Sequence, residues 1–593
     1  MFLFSPNQAL LGFSSLSDGV LGHSALIGQI SSWMPVWLTP IWVLSLGIVL
    51  GAVATAIFLA IFAVLSFTPL GKIADSPKSG LTASLIVGAV FAAALCFVYV
   101  PNQGEFQGML ILPLIVLGLI AGFAVIYGMW QRTRTELMTI LTEGIVPYVL
   151  ATAMAFSVIG LAASPLVAKP TEIIGSIWQV NLFGNGTKEI VRNVEPLPLD
   201  AKPDEAPFEK VEMQYVMYNV AELTVTSDKT IIIGDAETPA KFNMTPVRIN
   251  AGETVRYLRE NSEAPPLPLN PDSVYMQNRE IDPATVTMTF VMRPTVPEAS
   301  SVVTTAFALF TFIMGYIALR QAAPRVSAVA LATAKSEMAQ PLYLLLLMVG
   351  VFGMLLFAII PFNTLGEDIR LMKDSGVTLL MVLGMLQAVW SAGTSVSDEI
   401  EGRTALTVLS KPLSRRSFLI GKYIGIMFTV FVLFVIVGAV LMVVLSYKPI
   451  YDARETTRVT PEWQIGHEEL VTTVPALVLY FMETMAIGGI AVALATRLPL
   501  VANFVVCFVV YAIGNLTAPL VRSTNGENEL VGFVGKLIAV VVPNLNAFNV
   551  QSAIDASNQI PLIYLAGAFN YLFCFAIFIL MVAMLMFEDR DLA

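Results

Sequence analysis

Apolar runs of roughly twenty residues recur along this chain, and they fix its surroundings before any other feature does. A bilayer core of about 30 Å is crossed by roughly 20 apolar residues in a helix. Each crossing must also satisfy its own backbone hydrogen bonds, because lipid offers none. Hydropathy places about eleven spans, at 42–67, 82–100, 109–130, 145–167, 301–319, 342–361, 377–396, 419–446, 471–495, 500–519 and 563–586. The composition agrees: 56% of 593 residues are hydrophobic and 13% are charged, about half the charged share of a soluble domain. The expected fold class is a mainly α, polytopic membrane protein with about 11 transmembrane helices. Trp33, Trp37 and Trp42, at the edge of a more polar start, read as interfacial anchors.

One stretch is of different material. Residues 170–300 hold a Pro- and acid-rich linker, Glu195 to Pro207, followed by short runs in which apolar and polar residues alternate. The runs are Val211–Val220, Leu223–Thr226, Thr230–Ile233, Val247–Ile249, Thr254–Leu258 and Thr285–Met292. A period of two predicts half-buried strands, so the segment reads as an inserted extracytoplasmic β-sandwich of about 90 residues. Four parts result: an N-terminal membrane module with four helices (1–169), the β-rich domain (170–300), a helix and linker (301–323), and a unit of six helices (324–593).

Charge orients the chain. The first Lys or Arg is Lys72, so no secretory signal with a basic start is expected. Lys72, Lys78, Arg132, Arg134, Arg320, Arg325, Lys335, Arg403, Lys411, Arg415 and Arg416 all fall in cytoplasmic loops if the amino terminus is outside and the carboxyl terminus inside. Arg370 and Lys373, in loop 362–376, are exceptions. The net charge of −10, with much of the acid excess in 170–300, excludes nucleic acid as a partner. Cys96, Cys507 and Cys574 lie in apolar runs and read as small buried hydrophobes; His23 and His467 lack metal-site spacing.

The stretch from Ser397 to Gly425 carries the most functional information. SDEIEGRTALTVLSKPLSRRSFLIGKYIG is a charged insert between the seventh and eighth spans, and it must lie in water at a membrane face. Ser395 with Asp398 fits a capping box, which predicts a helix starting there. Asp398, Glu399 and Glu401 then sit where the helix dipole favours negative charge. Leu406, Leu409 and Leu413 recur at helical spacing, and Pro412 stops the helix at Lys411. Lys422 is expected to snorkel back to the cytoplasmic rim. An amphipathic docking helix and an ordinary positive-inside loop are both compatible with these residues. Segment 324–340, with Val326, Val329 and Ala330 on one side, reads equally as a helix along the membrane or a connector. Segment 530–549, interrupted by Lys536 and Pro543, reads as a re-entrant or interfacial pair of short helices.

The insert resembles the signature of ABC-2 type transporter permeases, particularly the membrane subunit of nitrous-oxide-reductase maturation systems. The resemblance rests on Glu399, Glu401, Thr404, Leu406, Leu409, Pro412, Ser414, Arg415, Gly421 and Lys422; Arg403 stands where that family has glycine, with Gly402 one position earlier. It spans 324–593, where an amphipathic lead-in, six spans and an external PNLNAFN segment follow the family's order. The resemblance implies that Glu399, Glu401, Gly402, Thr404, Leu406, Leu409, Pro412, Arg415, Gly421 and Lys422 couple the chain to a separate ABC ATPase subunit that binds ATP and Mg. It further implies a permease dimer (with a second copy or a second permease) in a bacterial inner membrane, doing export or extracytoplasmic work. This chain has no phosphate loop of its own, since Gly535-Lys536 precedes Leu537 and Gly421-Lys422 precedes Tyr423. It is expected to hold no cofactor or metal and to be no enzyme.

Glu483 falls near the middle of the ninth span. An intramembrane acid marks either a functional site or a hydrogen-bonded packing residue; Asn503 and Asn515, in the next span, read as interhelical hydrogen bonders. Two other readings stand beside the transporter subunit: a proton-coupled secondary transporter using Glu483, and a membrane-anchored sensor built on the β-rich domain, which could have its own extracytoplasmic partner.

Overall fold

The computed structural model describes residues 33–100, 107–179, 186–196, 208–259, 265–359, 368–401, 414–456, 459–523, 542–549 and 560–588, with position 533 and apart from positions 212, 214, 216, 269 and 460. The chain forms two compact units, one of Met1–Ala168 with Thr304–Ala593 and one of Lys169–Val303.

The first unit is helical. Its amino-terminal part holds α1 (Trp33–Leu65), α2 (Pro77–Tyr99), α3 (Gln107–Gly128), α4 (Gln131–Thr142) and α5 (Val146–Ala162). Small residues set the pairing of α2 and α3. Gly80, Ser84, Gly88 and Ala92, four apart, form the buried stripe of α2. A Cβ on Gly118 would stand 2.5 Å from Ala92 N, so only glycine lets the two backbones approach this closely.

Among the described residues, nine helices are long and apolar enough to cross a membrane, or ten if α4 and α5 count as one broken span. That is fewer than the eleven expected. The fourth expected span is only the 17-residue α5, bent by 62° from the polar α4. The bend falls where Gly144 has a φ of 84°, a backbone state that L side chains rarely adopt. The tenth is a shorter apolar helix, Leu500–Leu516. The first begins earlier than expected, at Trp33. Trp42, read as an interfacial anchor, is buried and donates its indole N–H to Ser164 Oγ at 3.0 Å. Trp37 donates to Val443 O at 3.2 Å.

The remaining helices are α7 (Ser300–Ala322), α8 (Pro324–Met338), α9 (Pro341–Ile359), α10 (Asp368–Ala392), α11 (Asp398–Glu401), α12 (Arg415–Glu455), α13 (Trp463–Ala495), α14 (Leu500–Ser523) and α15 (Leu562–Glu588), α6 (Pro170–Ile177) belonging to the other unit. The 41-residue α12 is their centre, with α8, α9, α10 and α13 packed against it. Its Phe418, Leu419, Val430, Leu433, Val437 and Leu441 join one apolar core with residues of α10 and α13. Segment 324–340 is a helix whose Val329, Ala330, Thr333, Ala334 and Glu337 are buried. Of the segment 530–549, most lies outside the described residues; Leu545–Phe548 is a single 3-10 turn with Leu545 and Phe548 buried. Cys507 is buried as expected, whereas Cys96 is half-buried and Cys574 exposed.

The second unit begins with α6 and contains two four-stranded sheets. The strands are β1 (Thr187–Val194), β2 (Glu209–Lys210), β3 (Val220–Ser227), β4 (Ile231–Gly234), β5 (Val247–Ile249), β6 (Thr254–Leu258), β7 (Tyr275–Asn278) and β8 (Ala284–Met292). The orders are β1-β8-β3-β6 and β2-β7-β4-β5. Ala284, Val286, Met288 and Phe290 of β8 point inward, and Ile231, Ile233 and Met276 from the other sheet share their core. The expected strand Val211–Val220 is corrected: among its described residues only Val220 belongs to a strand, as the start of β3, while Met217–Asn219 forms a 3-10 turn and Val211, Met213 and Tyr215 are buried. β1 and β7 were not legible from alternation.

Candidate functional site at the base of the insert

The seventh expected span does not end at Ser395. α10 continues through a π turn, Gly393–Ser397, into α11. Ser395 therefore caps nothing: its hydroxyl donates back to Ser391 O at 2.6 Å, inside a continuing helix. The capping-box expectation is corrected on that ground. The π turn inserts an extra residue per turn and re-aims the side chains that follow. Thr394 turns toward α8, and Ser397 Oγ donates to Leu498 O at 3.0 Å.

The far flank of the insert is α12. Ser414 caps it, accepting Ser417 N–H at 3.1 Å. Arg415 donates to Phe587 O and Glu588 O at 3.4 and 2.9 Å, satisfying the last carbonyls of α15. A cation at a helix carboxyl end is favoured by the dipole, so Arg415 is held in the bundle. Gly421 and Gly425 seat α8. A Cβ on Gly425 would stand 2.5 Å from Ala330 O, and one on Gly421 would stand 2.7 Å from the Val329 side chain.

Lys422 closes the two flanks. It does not snorkel to a rim; its side chain is 7% exposed and donates to Glu399 Oε1 at 2.5 Å. Burial makes any alternative to pairing costly, so the acid of one flank holds the base of the other. Glu401 lies in α11 but its side chain is outside the described residues, as are Gly402, Thr404, Leu406, Leu409 and Pro412 entirely.

A second acid stands behind this pair. Glu337 of α8 is 1% exposed. Thr394 Oγ1 lies 3.2 Å from both of its carboxylate oxygens, and Gln340 Nε2 donates to Oε1 at 3.1 Å. Trp390 Nε1 in turn donates to Gln340 Oε1 at 2.8 Å. Burial pushes the Glu337 carboxyl up to about 7; bonds from Ser391 and Thr394 and the Lys422 charge pull it down, while the Glu399 charge pushes it up. Sequence reasoning missed Glu337. The available signal was its register: it lies three residues after Ala334 and seven after Ala330, on the small-residue face of α8.

The opposite ends of the same helices are also tied by charge. Lys448, fully buried in α12, lies 3.5 Å from Asp368 at the start of α10. Lys373 pairs with Glu469 of α13 and donates to Thr472 Oγ1 at 2.8 Å. Lys373, expected in loop 362–376 where cations were exceptions, thus lies in α10 with an acidic partner. Glu483, 2% exposed, accepts from Asn515 Nδ2 at 3.4 Å, and Asn503 Nδ2 donates to Ala491 O at 3.1 Å. Both asparagines thus bond across from α14 to α13. His467 is buried beside Trp463, with ring centroids 6.0 Å apart. Among the described residues no group of three or more His, Cys, Asp or Glu could hold a metal ion. The chain matches no family model, no curated protein and no solved structure.

Proposed function

We propose that the chain is the permease subunit of an ABC-2 type transporter, coupled through residues 402–413 to a separate ATPase that binds ATP and Mg. The observation that carries the reading is the Glu399–Lys422 pair: both residues come from the insert's signature, and they join its two flanks. With the two flanks joined this way, a push on residues 402–413 reaches α11 and α12 together. A simple connector needs no such clamp, since a buried ion pair is a costly way to join two helices. In this reading the protein works in a bacterial inner membrane as a dimer of permeases, with its amino terminus outside and its carboxyl terminus inside. Its eleven crossings count α5 and α14 as short spans. The two-sheet region is then an extracytoplasmic sandwich available to a partner, and hydrolysis belongs to the ATPase alone.

The proton-carrier alternative draws less support, because among the described residues the hydrogen-bond partner of Glu483 is the neutral amide of Asn515. Leu406→Asp with Leu409→Asp tests the proposal, since both lie in the docking stretch and outside the clamp. The expected result is a normally inserted protein that no longer stimulates its ATPase. Unchanged stimulation refutes the docking assignment.

A further inference from the structure

An apolar groove of about 440 Å³ opens between α10, α13 and α14, lined among others by Val382, Leu386, Ile487, Phe504, Phe508 and Tyr511. Its volume is that of a small-molecule site. Side chains four apart on a helix share a face. Glu483 is therefore one turn from Ile487 on α13, and Asn515 one turn from Tyr511 on α14. Asn515 joins the two, donating to Glu483 Oε1 at 3.4 Å and to Tyr511 O at 3.2 Å. The groove thus has a wall of hydrocarbon, and a buried carboxylate stands one helical turn along α13 from its lining residue Ile487. Among the described residues Asn515 is that carboxylate's hydrogen-bond partner, at a length beyond the usual 2.7–3.2 Å for N–H···O.

We propose that this groove binds an amphipathic amine, its single apolar chain along α10 and α14 and its ammonium head on Glu483. The apolar walls accept any chain of suitable length. The carboxylate selects the head, because an acid in hydrocarbon is stabilised by a cation far more than by a neutral group. The amine is the cargo class only if the permease reading holds; the site itself rests on the groove and Glu483. Binding is therefore measured without an ATPase, so that a failure here leaves the coupling proposal standing, and the reverse.

The experiment uses the purified full chain in nanodiscs with labelled dodecylamine, dodecanol and dodecyl sulfate. The expected result is saturable binding of dodecylamine, with dodecanol weaker by about tenfold or more and dodecyl sulfate weaker still. Glu483→Gln brings dodecylamine to the level of dodecanol. Leu386→Trp, at the half-open wall of the groove, removes saturable binding of both. Equal uptake of the three probes means partition into the bilayer and overturns the proposal, as does an unchanged affinity in Glu483→Gln. If Glu483→Gln fails to fold, the ratio of amine to alcohol in the wild type and its loss in Leu386→Trp still decide the matter.

Discussion

Removing one partner of the Glu399–Lys422 pair should have unequal consequences for the two residues. Glu399→Leu strands an ammonium group whose side chain is 7% exposed. Breaking a buried pair that way costs about 3–5 kcal/mol; the low end, ~3 kcal/mol, applies because Lys422 also faces the Glu337 side of the cluster. Lys422→Met leaves the carboxylate on a side chain that is 33% exposed, against 7% for Lys422. Its cost is that of a partly exposed pair, about 1 kcal/mol. The double variant removes both charges and buries apolar atoms in their place, so it should lie within about 1 kcal/mol of wild type. The coupling energy from the cycle is then ~3 kcal/mol, well above the ~0.5 kcal/mol scatter of independent sites. Unfolding in mixed micelles titrated with SDS measures all four proteins. Equal losses for the two single variants, or additive losses in the double, refute the clamp.

Glu337 makes stability depend on pH. Its carboxyl is lifted from 4.5 to about 7 by burial, so the folded state holds a proton that the unfolded chain releases above pH 4.5. Stability is full below that value and falls as pH rises toward 7, by ~3 kcal/mol in all; Glu337→Gln should flatten the profile measured by the same titration. Gly425→Ala pushes a methyl group into Ala330 O and should cost about 1–3 kcal/mol by displacing α8, visible as faster proteolysis at 324–340. Phe290→Ala empties the core of the two-sheet unit, where the ring is fully buried; a loss of about 3–5 kcal/mol should appear in pulse proteolysis confined to 187–292.

Sequence patterning revealed most of the helices because each crossing is a local property: a run long and apolar enough to span shows itself without its neighbours. The π turn is not local in that sense. Ser395 and Asp398 satisfy the spacing of a capping box, yet tertiary packing of Thr394 on Glu337 and Ser397 on Leu498 O keeps the helix going. Lys422 followed the same logic. Its position suggested a rim residue, and only the approach of Glu399 from a different helix gives it a buried partner. In the β-rich unit, β8 alternates cleanly and was legible, whereas β1 buries only Ile190 and Val194 among eight residues and shows no period of two. Glu337 stayed hidden because a single acid on an amphipathic helix looks like part of its wet face.

The central claim is settled most directly by isolating the tagged chain from its native membrane and identifying what comes with it. Wild type should bring down one nucleotide-hydrolysing protein in a fixed ratio, and replacing 402–413 by a Gly-Ser linker, with Glu399 and Lys422 kept, should release that protein while the chain stays folded. A preparation with no such companion, or one that keeps it after the replacement, contradicts the account.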